Sequence, residues 1–207
     1  MIQSKYFMTL EATSLLDQIR IYFEGFSRSD VYEHTCEVIA VYDKLINFID
    51  IPESLKKKGR VAVMLHDVGR VVEHSDIVKF CEENGKIATE SELKAVGILH
   101  QYASKFIAMT VFGIEDESVL NAIECHTTLK GNPGILDKLV FLVDKMSWKE
   151  ADSVDLIRKM NDHLSTSIDL ALYEYHKAMY ENRKAMLCYH EWSNEAYHYL
   201  NKVVSNE

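Results

Sequence analysis

The sequence predicts an all-α protein, a bundle of packed helices. Only two prolines and eight glycines interrupt 207 residues. Apolar residues recur along most of the chain with the 3.6-residue period of an α-helix, and the alternation typical of strands is not evident. The hydrophobic fraction of 47% and the charged fraction of 27% are typical of a globular protein. A chain of this length can bury a well-filled core in one main domain.

Turn and capping residues separate the predicted helices. Gly25 ends the first helix, and Ser29-Asp30 can cap the second. Pro52 begins the third, because proline suits the first helical position. The segment 89–92 can cap a later helix, and 130–134 carries the strongest loop signal. The helices predicted before residue 150 span about 10–23, 29–50, 53–69, 77–81, 93–111, 115–124 and 135–143.

After about residue 150 the predicted helices become longer, more polar and richer in tyrosine. We therefore expect a main domain over 1–150 and additional C-terminal helices over 151–207. These helices should pack on the core or on a second subunit, and the second arrangement would give a homodimer. Their aromatic side chains could stack on a nucleobase, although packing explains aromatic residues at helical spacing equally simply.

Composition and charge exclude several classes of function. A net charge of −9 argues against affinity for nucleic acid or anionic membranes, because both need a positive field. The longest apolar runs have about five residues, whereas a membrane-spanning helix needs about twenty. The first residues lack the pattern of a signal peptide, and the four cysteines show no metal-binding or disulfide spacing. A cytoplasmic location is expected.

The segment LHDVGR carries the strongest chemical signal. His66 and Asp67 follow an apolar helical run, which we expect to end at Gly69. An imidazole next to a carboxylate can offer two ligands to one metal ion. His66 and Asp67 are therefore the first two candidate ligands of a metal site.

His34, His100, His126 and Asp144 also fall on or at the ends of apolar helices. Taken singly, each histidine could be a buried side chain bonded to a backbone carbonyl. Taken together, burial of so many ionisable groups without a common partner would be costly. A shared metal cluster explains all of them. We expect the other histidines to lie at the surface or its boundary: His74, His163, His176, His190 and His198.

The order H…HD…H…H…D resembles the HD-domain metal-dependent phosphohydrolases. The local sequence is closer still to the YqeK-like family of symmetrical dinucleoside tetraphosphatases. The resemblance covers about residues 28–146. The matching segments are YEHTCEV, LHDVGR, FGIEDESVLNAIECHTT and LDKLVFLVDK.

The resemblance implies an HD-domain helical bundle with two divalent metal ions. Two adjacent cations can share a bridging water, lower its pKa and present hydroxide to phosphorus. Imidazole and carboxylate ligands suit iron, manganese or another divalent ion, and iron is our choice. The implied ligands are His34, His66, Asp67 and Asp144 for one metal, and Asp67, His100 and His126 for the second.

Other residues are candidates for catalysis and phosphate binding. Arg70 lies a helical turn past the pair, where it could act beside Asp67 in catalysis or simply sit at a helix end. Thr127 and Thr128 follow His126 as in the family and could donate hydrogen bonds to phosphate. Lys145 could also bind phosphate, or be solvated.

The sequence departs from the family beside the ligands. The family usually has an arginine shortly before its first histidine, and here only Arg28 is close. Proline and arginine usually follow the last aspartate, whereas this chain reads MSWKEADS from Met146. Substrate specificity could therefore have changed around an intact metal centre.

The resemblance implies a small nucleotide substrate, most specifically symmetrical hydrolysis of diadenosine tetraphosphate to two ADP. One alternative keeps the metals but cleaves a nucleoside monophosphate or another phosphomonoester. Another alternative is a nucleotide-binding protein that retains the metal site without turnover.

Overall fold

The computed structural model describes residues 2–11, 14–148 and 153–206. Within these ranges it contains eleven α-helices and four short 3₁₀ helices and no strand, which confirms the all-α prediction. The α-helices are α1 Leu15–Gly25, α2 Ser29–Leu45, α3 Glu53–Leu65, α4 Ile77–Glu83, α5 Glu90–Lys94, α6 His100–Thr110, α7 Glu117–Glu124, α8 Ile135–Met146, α9 Val154–Leu164, α10 Ile168–Asn182 and α11 Glu191–Val204.

Helices α2, α3, α7 and α8 pack against one another around the main core. Each contributes fully buried apolar side chains at helical spacing, among them Val38, Leu65, Ile123, Leu139 and Val140. Burial of these faces fixes how the helices are rotated about their axes. The ends of the apolar faces therefore come together, and the polar residues next to them share one interior region.

The predicted helix over 93–111 is wrong, because the chain breaks there. The capping box at Thr89 is confirmed, but α5 ends at Lys94 and Ala95 leaves the helical conformation with φ −139° and ψ 65°. A 3₁₀ helix, Val96–Leu99, follows, and α6 begins at His100. The break changes the direction of the chain and makes His100 the first residue of a new helix.

The predicted end of α3 at Gly69 is also wrong. The helix ends at Leu65, and Gly69 lies in a 3₁₀ helix, Val68–Val71. A Cβ atom at Gly69 would lie 2.4 Å from the backbone oxygen of His100 and from the backbone nitrogen of Ser104. The glycine is needed because this 3₁₀ helix packs directly on the backbone of α6.

Helices α9, α10 and α11 form a second apolar cluster with the outer side of α8. Phe141 and Leu142 of α8 are fully buried in it together with Leu172 and Leu200. The predicted boundary at residues 150 and 151 lies outside the described residues. The C-terminal helices thus contact the main bundle through α8.

The tyrosines of α10 and α11 mainly contact each other. The Tyr180 and Tyr197 rings are nearly parallel, with centroids 4.0 Å apart, and the Tyr173 ring lies 6.2 Å from that of Tyr197. This stacking supports the packing interpretation of these aromatic residues. None of the helices in the described part of the chain has the length and apolar character that a membrane span requires.

Candidate metal centre

The structure brings all six predicted metal ligands together, although His34 and Asp144 are 110 positions apart in the chain. Five of the six side chains are buried, and His34 is partly exposed. They come from five parts of the bundle: His34 from α2, His66 and Asp67 from just after α3, His100 from the start of α6, His126 from just after α7, and Asp144 from α8.

One group of donor atoms surrounds Oδ1 of Asp144. Nε2 of His34 lies 3.3 Å from this oxygen and Nε2 of His66 lies 3.7 Å from it. Oδ2 of Asp67 is 3.8 Å from Nε2 of His34 and 3.5 Å from Nε2 of His66. Donor atoms of His34, His66 and Asp144 all lie within 4.8 Å of one another, so one cation could contact all three.

A second group surrounds Oδ1 of Asp67. Nε2 of His100 lies 3.2 Å from this oxygen and Nε2 of His126 lies 3.3 Å from it. The two Nε2 atoms are 3.0 Å apart. The two oxygens of Asp67 therefore approach different groups of imidazoles, which is the arrangement that a bridging carboxylate needs.

Backbone hydrogen bonds orient the three buried imidazoles of the centre. His66, His100 and His126 each donate Nδ1–H to the backbone carbonyl three residues earlier, over 2.5–2.7 Å. A neutral imidazole that donates from Nδ1 keeps its lone pair on Nε2. All three rings thus present a metal-binding atom to the centre, as metal-ligating histidines do.

These imidazole nitrogens and carboxylate oxygens can bind a cation better than they can hydrogen-bond to one another. In the neutral ring of His100, Nε2 is an acceptor, and so is Oδ1 of Asp67 beside it. Among the described residues, buried Nε2 of His66 and Oδ1 of Asp67 have no hydrogen-bond partner. Buried acceptors without donors are costly, and a bound cation would satisfy them.

Burial keeps the imidazoles of His66 and His100 neutral. It lowers the pKa of each to about 4, so both are unprotonated near neutral pH. The pKa of His34 is raised instead, chiefly by its hydrogen bond to Asp144. The His66 and His100 rings are thus in the state that binds metal.

The two carboxylates remain ionised although they are buried. Burial alone would raise their pKa values, but neighbouring groups hold both below the usual range: chiefly His66 and Arg70 for Asp67, and Lys145 and His34 for Asp144. Nε of Arg70 donates to Oδ2 of Asp67 over 2.7 Å. Nζ of Lys145 donates to Oδ2 of Asp144 over 2.7 Å.

The two predicted phosphate-binding threonines occupy different environments. Oγ1 of Thr127 lies 3.2 Å from Nε2 of His100 and 3.2 Å from Nε2 of His126, at the second group of donors. Thr128 is buried, and its hydroxyl donates to Oε1 of Gln101 over 3.2 Å. Thr127 is therefore the better placed of the two to meet a ligand at the centre.

The family model described as "HD domain" matches residues 31–149, which is more than half of the chain. This chain belongs to the HD domain family. The match includes every residue of the two donor groups.

Individual proteins agree with this assignment. A Lactococcus lactis subsp. cremoris protein, "Uncharacterized protein in pepC 5'region", is 38% identical over 120 residues, covering 58% of this chain and 62% of that protein. A Staphylococcus aureus protein, "Bis(5'-nucleosyl)-tetraphosphatase, symmetrical", is 30% identical over 149 residues, covering 70% of this chain and 73% of that protein. The chain thus spans less than two thirds of the Lactococcus protein.

A solved structure shows the same fold. It is a predicted HD superfamily hydrolase involved in NAD metabolism from Clostridium acetobutylicum. The TM-score is 0.79 at 23% sequence identity, with 95% of this chain and 100% of that chain covered. The likeness extends beyond the HD domain match, so it includes C-terminal helices.

The HD-domain centre opens into a cavity of about 640 Å³. The four predicted substrate-binding residues line it: Arg70, Thr127, Thr128 and Lys145. The cavity also extends onto residues that the sequence did not place next to the metal ligands. These residues are Trp148 after α8, Tyr175 and Met179 in α10, Ser193 in α11, and Met186, Cys188, Tyr189 and His190 between α10 and α11.

Two histidines predicted at the surface or its boundary are buried, so that prediction is wrong for them. His176 is fully buried and stacks on Phe141, with ring centroids 5.0 Å apart. His190 caps α11, because its Nδ1 accepts from the backbone nitrogen of Trp192, and its Nε2–H donates to Oε1 of Glu92 over 3.2 Å. A partner 98 positions away leaves no local signal in the sequence.

Proposed function

We propose that this HD-domain protein hydrolyses a phosphoanhydride bond of a small nucleotide, and specifically that it converts diadenosine tetraphosphate and water into two ADP. The position of Asp67 carries the proposal. Its two oxygens approach separate imidazole groups at the base of a cavity that also contains Arg70 and Lys145. Such a site can hold two cations next to a bound phosphate chain.

The proposed ligands divide as in the family. One divalent ion would be held by His34, His66, Asp67 and Asp144, and the other by Asp67, His100 and His126. Iron is favoured, and manganese or another divalent ion would suit the same donors. Bound there, two cations supply a nucleophile from water near neutral pH and neutralise charge on the phosphoryl oxygens. Asp67 keeps the two sites at a fixed separation.

Basic and hydroxyl side chains would hold the phosphates. The net charge of −9 repels an anionic substrate at long range, so attraction must come from groups inside the cavity. Arg70 is fixed through its Nε by Asp67, and its guanidinium can offer further donors to phosphate. Thr127 would donate from beside His100 and His126, while Thr128 and Lys145 would contribute from the cavity wall.

The choice of substrate is supported by the Staphylococcus aureus relative, which is named as a symmetrical tetraphosphatase. Symmetrical cleavage breaks the central P–O–P bond, and each half of the substrate leaves as a nucleoside diphosphate. The cavity volume of about 640 Å³ lies in the range of small-molecule sites, roughly 300–1,000 Å³.

Product analysis tests the proposal. The purified protein, supplied with Fe²⁺ or Mn²⁺, is incubated with diadenosine tetraphosphate, and the products are separated by ion-exchange chromatography. ADP as the sole nucleotide product is expected, and Asp67→Asn should abolish its formation. AMP plus ATP would contradict symmetrical cleavage. Release of inorganic phosphate from nucleoside monophosphates alone would favour a phosphomonoesterase, and saturable binding without turnover would favour a nucleotide-binding protein.

A further inference from the structure

We propose that Trp148 and the C-terminal helices form the binding site for a nucleobase of the substrate, an inference that rests on the proposed nucleotide hydrolysis. Two chemically different groups of residues line the cavity. Arg70 and Lys145, next to the proposed ligands, are charged. The second group consists of aromatic and thioether side chains: Trp148, Tyr175, Met179, Met186 and Tyr189. Charged groups suit phosphates, whereas aromatic groups suit a flat, uncharged ring.

Trp148 is more exposed than the other tryptophan of the chain. It is 37% exposed and lines the cavity, whereas Trp192 packs between Tyr102 and His190, with centroids 5.6 Å from each. The Tyr175 ring meets Trp148 at 75°, with centroids 6.3 Å apart. An exposed indole on a cavity wall offers a face on which a base can stack.

Lys145 contacts both groups of residues. Its Nζ donates to Oδ2 of Asp144 and lies 4.7 Å from the centre of the Trp148 ring. One lysine side chain therefore separates the ligand group from the indole. We place the phosphates of the nucleotide at Arg70 and Lys145, and its base at Trp148. Since the ammonium group already covers one face of the indole, the base stacks on the other.

The C-terminal part of the wall is held in position by contacts with the HD domain. His190 donates to Glu92, and Oγ of Ser193 donates to the backbone oxygen of Thr128 over 2.9 Å. Oγ of Ser91 donates to Oε1 of Glu191 over 2.9 Å. The start of α11 is therefore fixed in the cavity wall before the ligand arrives, which reduces the entropy lost on binding.

Tryptophan fluorescence tests the proposal without relying on turnover. In Trp192→Phe, Trp148 is the only remaining tryptophan, because the chain has two. This protein is titrated with ADP and, separately, with tripolyphosphate, which has no base. We expect saturable quenching by ADP and little quenching by tripolyphosphate at concentrations that displace ADP.

A substitution then measures how much the stacking contributes. Trp148→Leu should weaken ADP binding about tenfold, because stacking of a base is worth about 1–3 kcal/mol, and should leave tripolyphosphate binding unchanged. Phe48→Leu, at an aromatic side chain that is 87% exposed and away from the cavity, is the matched control and should alter neither affinity. Isothermal calorimetry gives both constants, and circular dichroism checks folding.

Two results would overturn the base site. Equal weakening of ADP and tripolyphosphate binding would mean that Trp148 supports Lys145 and does not stack on the base. Unchanged ADP binding with unquenched Trp148 would place the base elsewhere. Either result could occur in a protein that still forms two ADP, so failure of this inference is distinct from failure of the proposed function.

Discussion

Lys145 illustrates how a single residue can serve the metal centre without touching a metal. Its side chain is 3% exposed, and its ammonium group lies between Oδ2 of Asp144 and the rings of Phe141 and Trp148. A buried ammonium group needs such compensation. Because Lys145 engages Oδ2, it holds the carboxylate with Oδ1 towards His34 and His66.

Lys145→Met should therefore weaken metal binding. Loss of an outer partner of a ligand typically lowers metal affinity about 10–100-fold. The affinity is measured by competition with a chromogenic chelator, and exposed Lys202→Met is the control. If the affinity is unchanged while KM rises, Lys145 acts on phosphate alone.

At the scale of elements, the 3₁₀ helix Val68–Val71 connects the two donor groups. Gly69 lies against α6, and its backbone nitrogen donates to Oγ of Ser104 over 2.9 Å. This contact brings the end of α3, with Asp67, next to His100 at the start of α6. The distance between the two groups of donor atoms thus depends on the absence of a side chain at Gly69.

Gly69→Ala should reduce both stability and metal content. The added Cβ would meet backbone atoms 2.4 Å away, which cannot move without displacing α6. Overpacking of this kind costs about 1–3 kcal/mol in the free energy of unfolding, measured by urea titration. Gly97→Ala is the control, because its Cβ would lie 3.8 Å from the His74 ring. Equal stability of the two variants would contradict the proposed role of Gly69.

The link between α5 and the start of α11 should be sensitive to acid. Burial would raise the pKa of Glu92, but hydrogen bonds from His190, the Thr89 backbone and Lys86 lower it to about 2, from an ordinary value of 4.5. Glu92 is fully buried, and the Lys86 ammonium also lies over the Tyr102 ring. A depressed pKa stabilises the fold at pH values above 4.5, and this contribution is lost as the pH falls towards 2.

Glu92→Gln removes this contribution. The free energy of unfolding of the variant should be lower than that of the wild type at pH 7, and the difference should shrink between pH 4.5 and 3. Urea unfolding at each pH measures the difference. A difference that stays constant across this range would show that the carboxylate charge does not stabilise the link.

At the scale of the whole molecule, sequence patterns predict the features that depend on residues close together in the chain. The apolar periodicity predicted the helices, and the order of His34, His66, Asp67, His100, His126 and Asp144 predicted a set that the fold brings together. The apolar helix faces explain both the helices and the ligand set, because each candidate ligand lies on or at the end of a helix with such a face.

What the sequence did not predict depends on distant partners. Helix α6, which begins after the break at Ala95, packs on the 3₁₀ helix Val68–Val71, and capping signals alone do not specify the break. The burial of His190 depends on Glu92, and the entry of Met186 and Tyr189 into the cavity depends on how α10 and α11 dock. Local composition contains none of this information.

Metal analysis of the intact protein tests the central claim most directly. Protein purified without chelator and loaded with Fe²⁺ or Mn²⁺ should contain about two equivalents of metal per chain by plasma emission spectrometry. Asp67→Ala should reduce this to less than about one, because both groups lose a donor, whereas exposed Asp155→Ala should retain the full amount. A metal-free protein with full activity, or an Asp67→Ala protein that still holds both equivalents, would contradict a dinuclear centre bridged by Asp67.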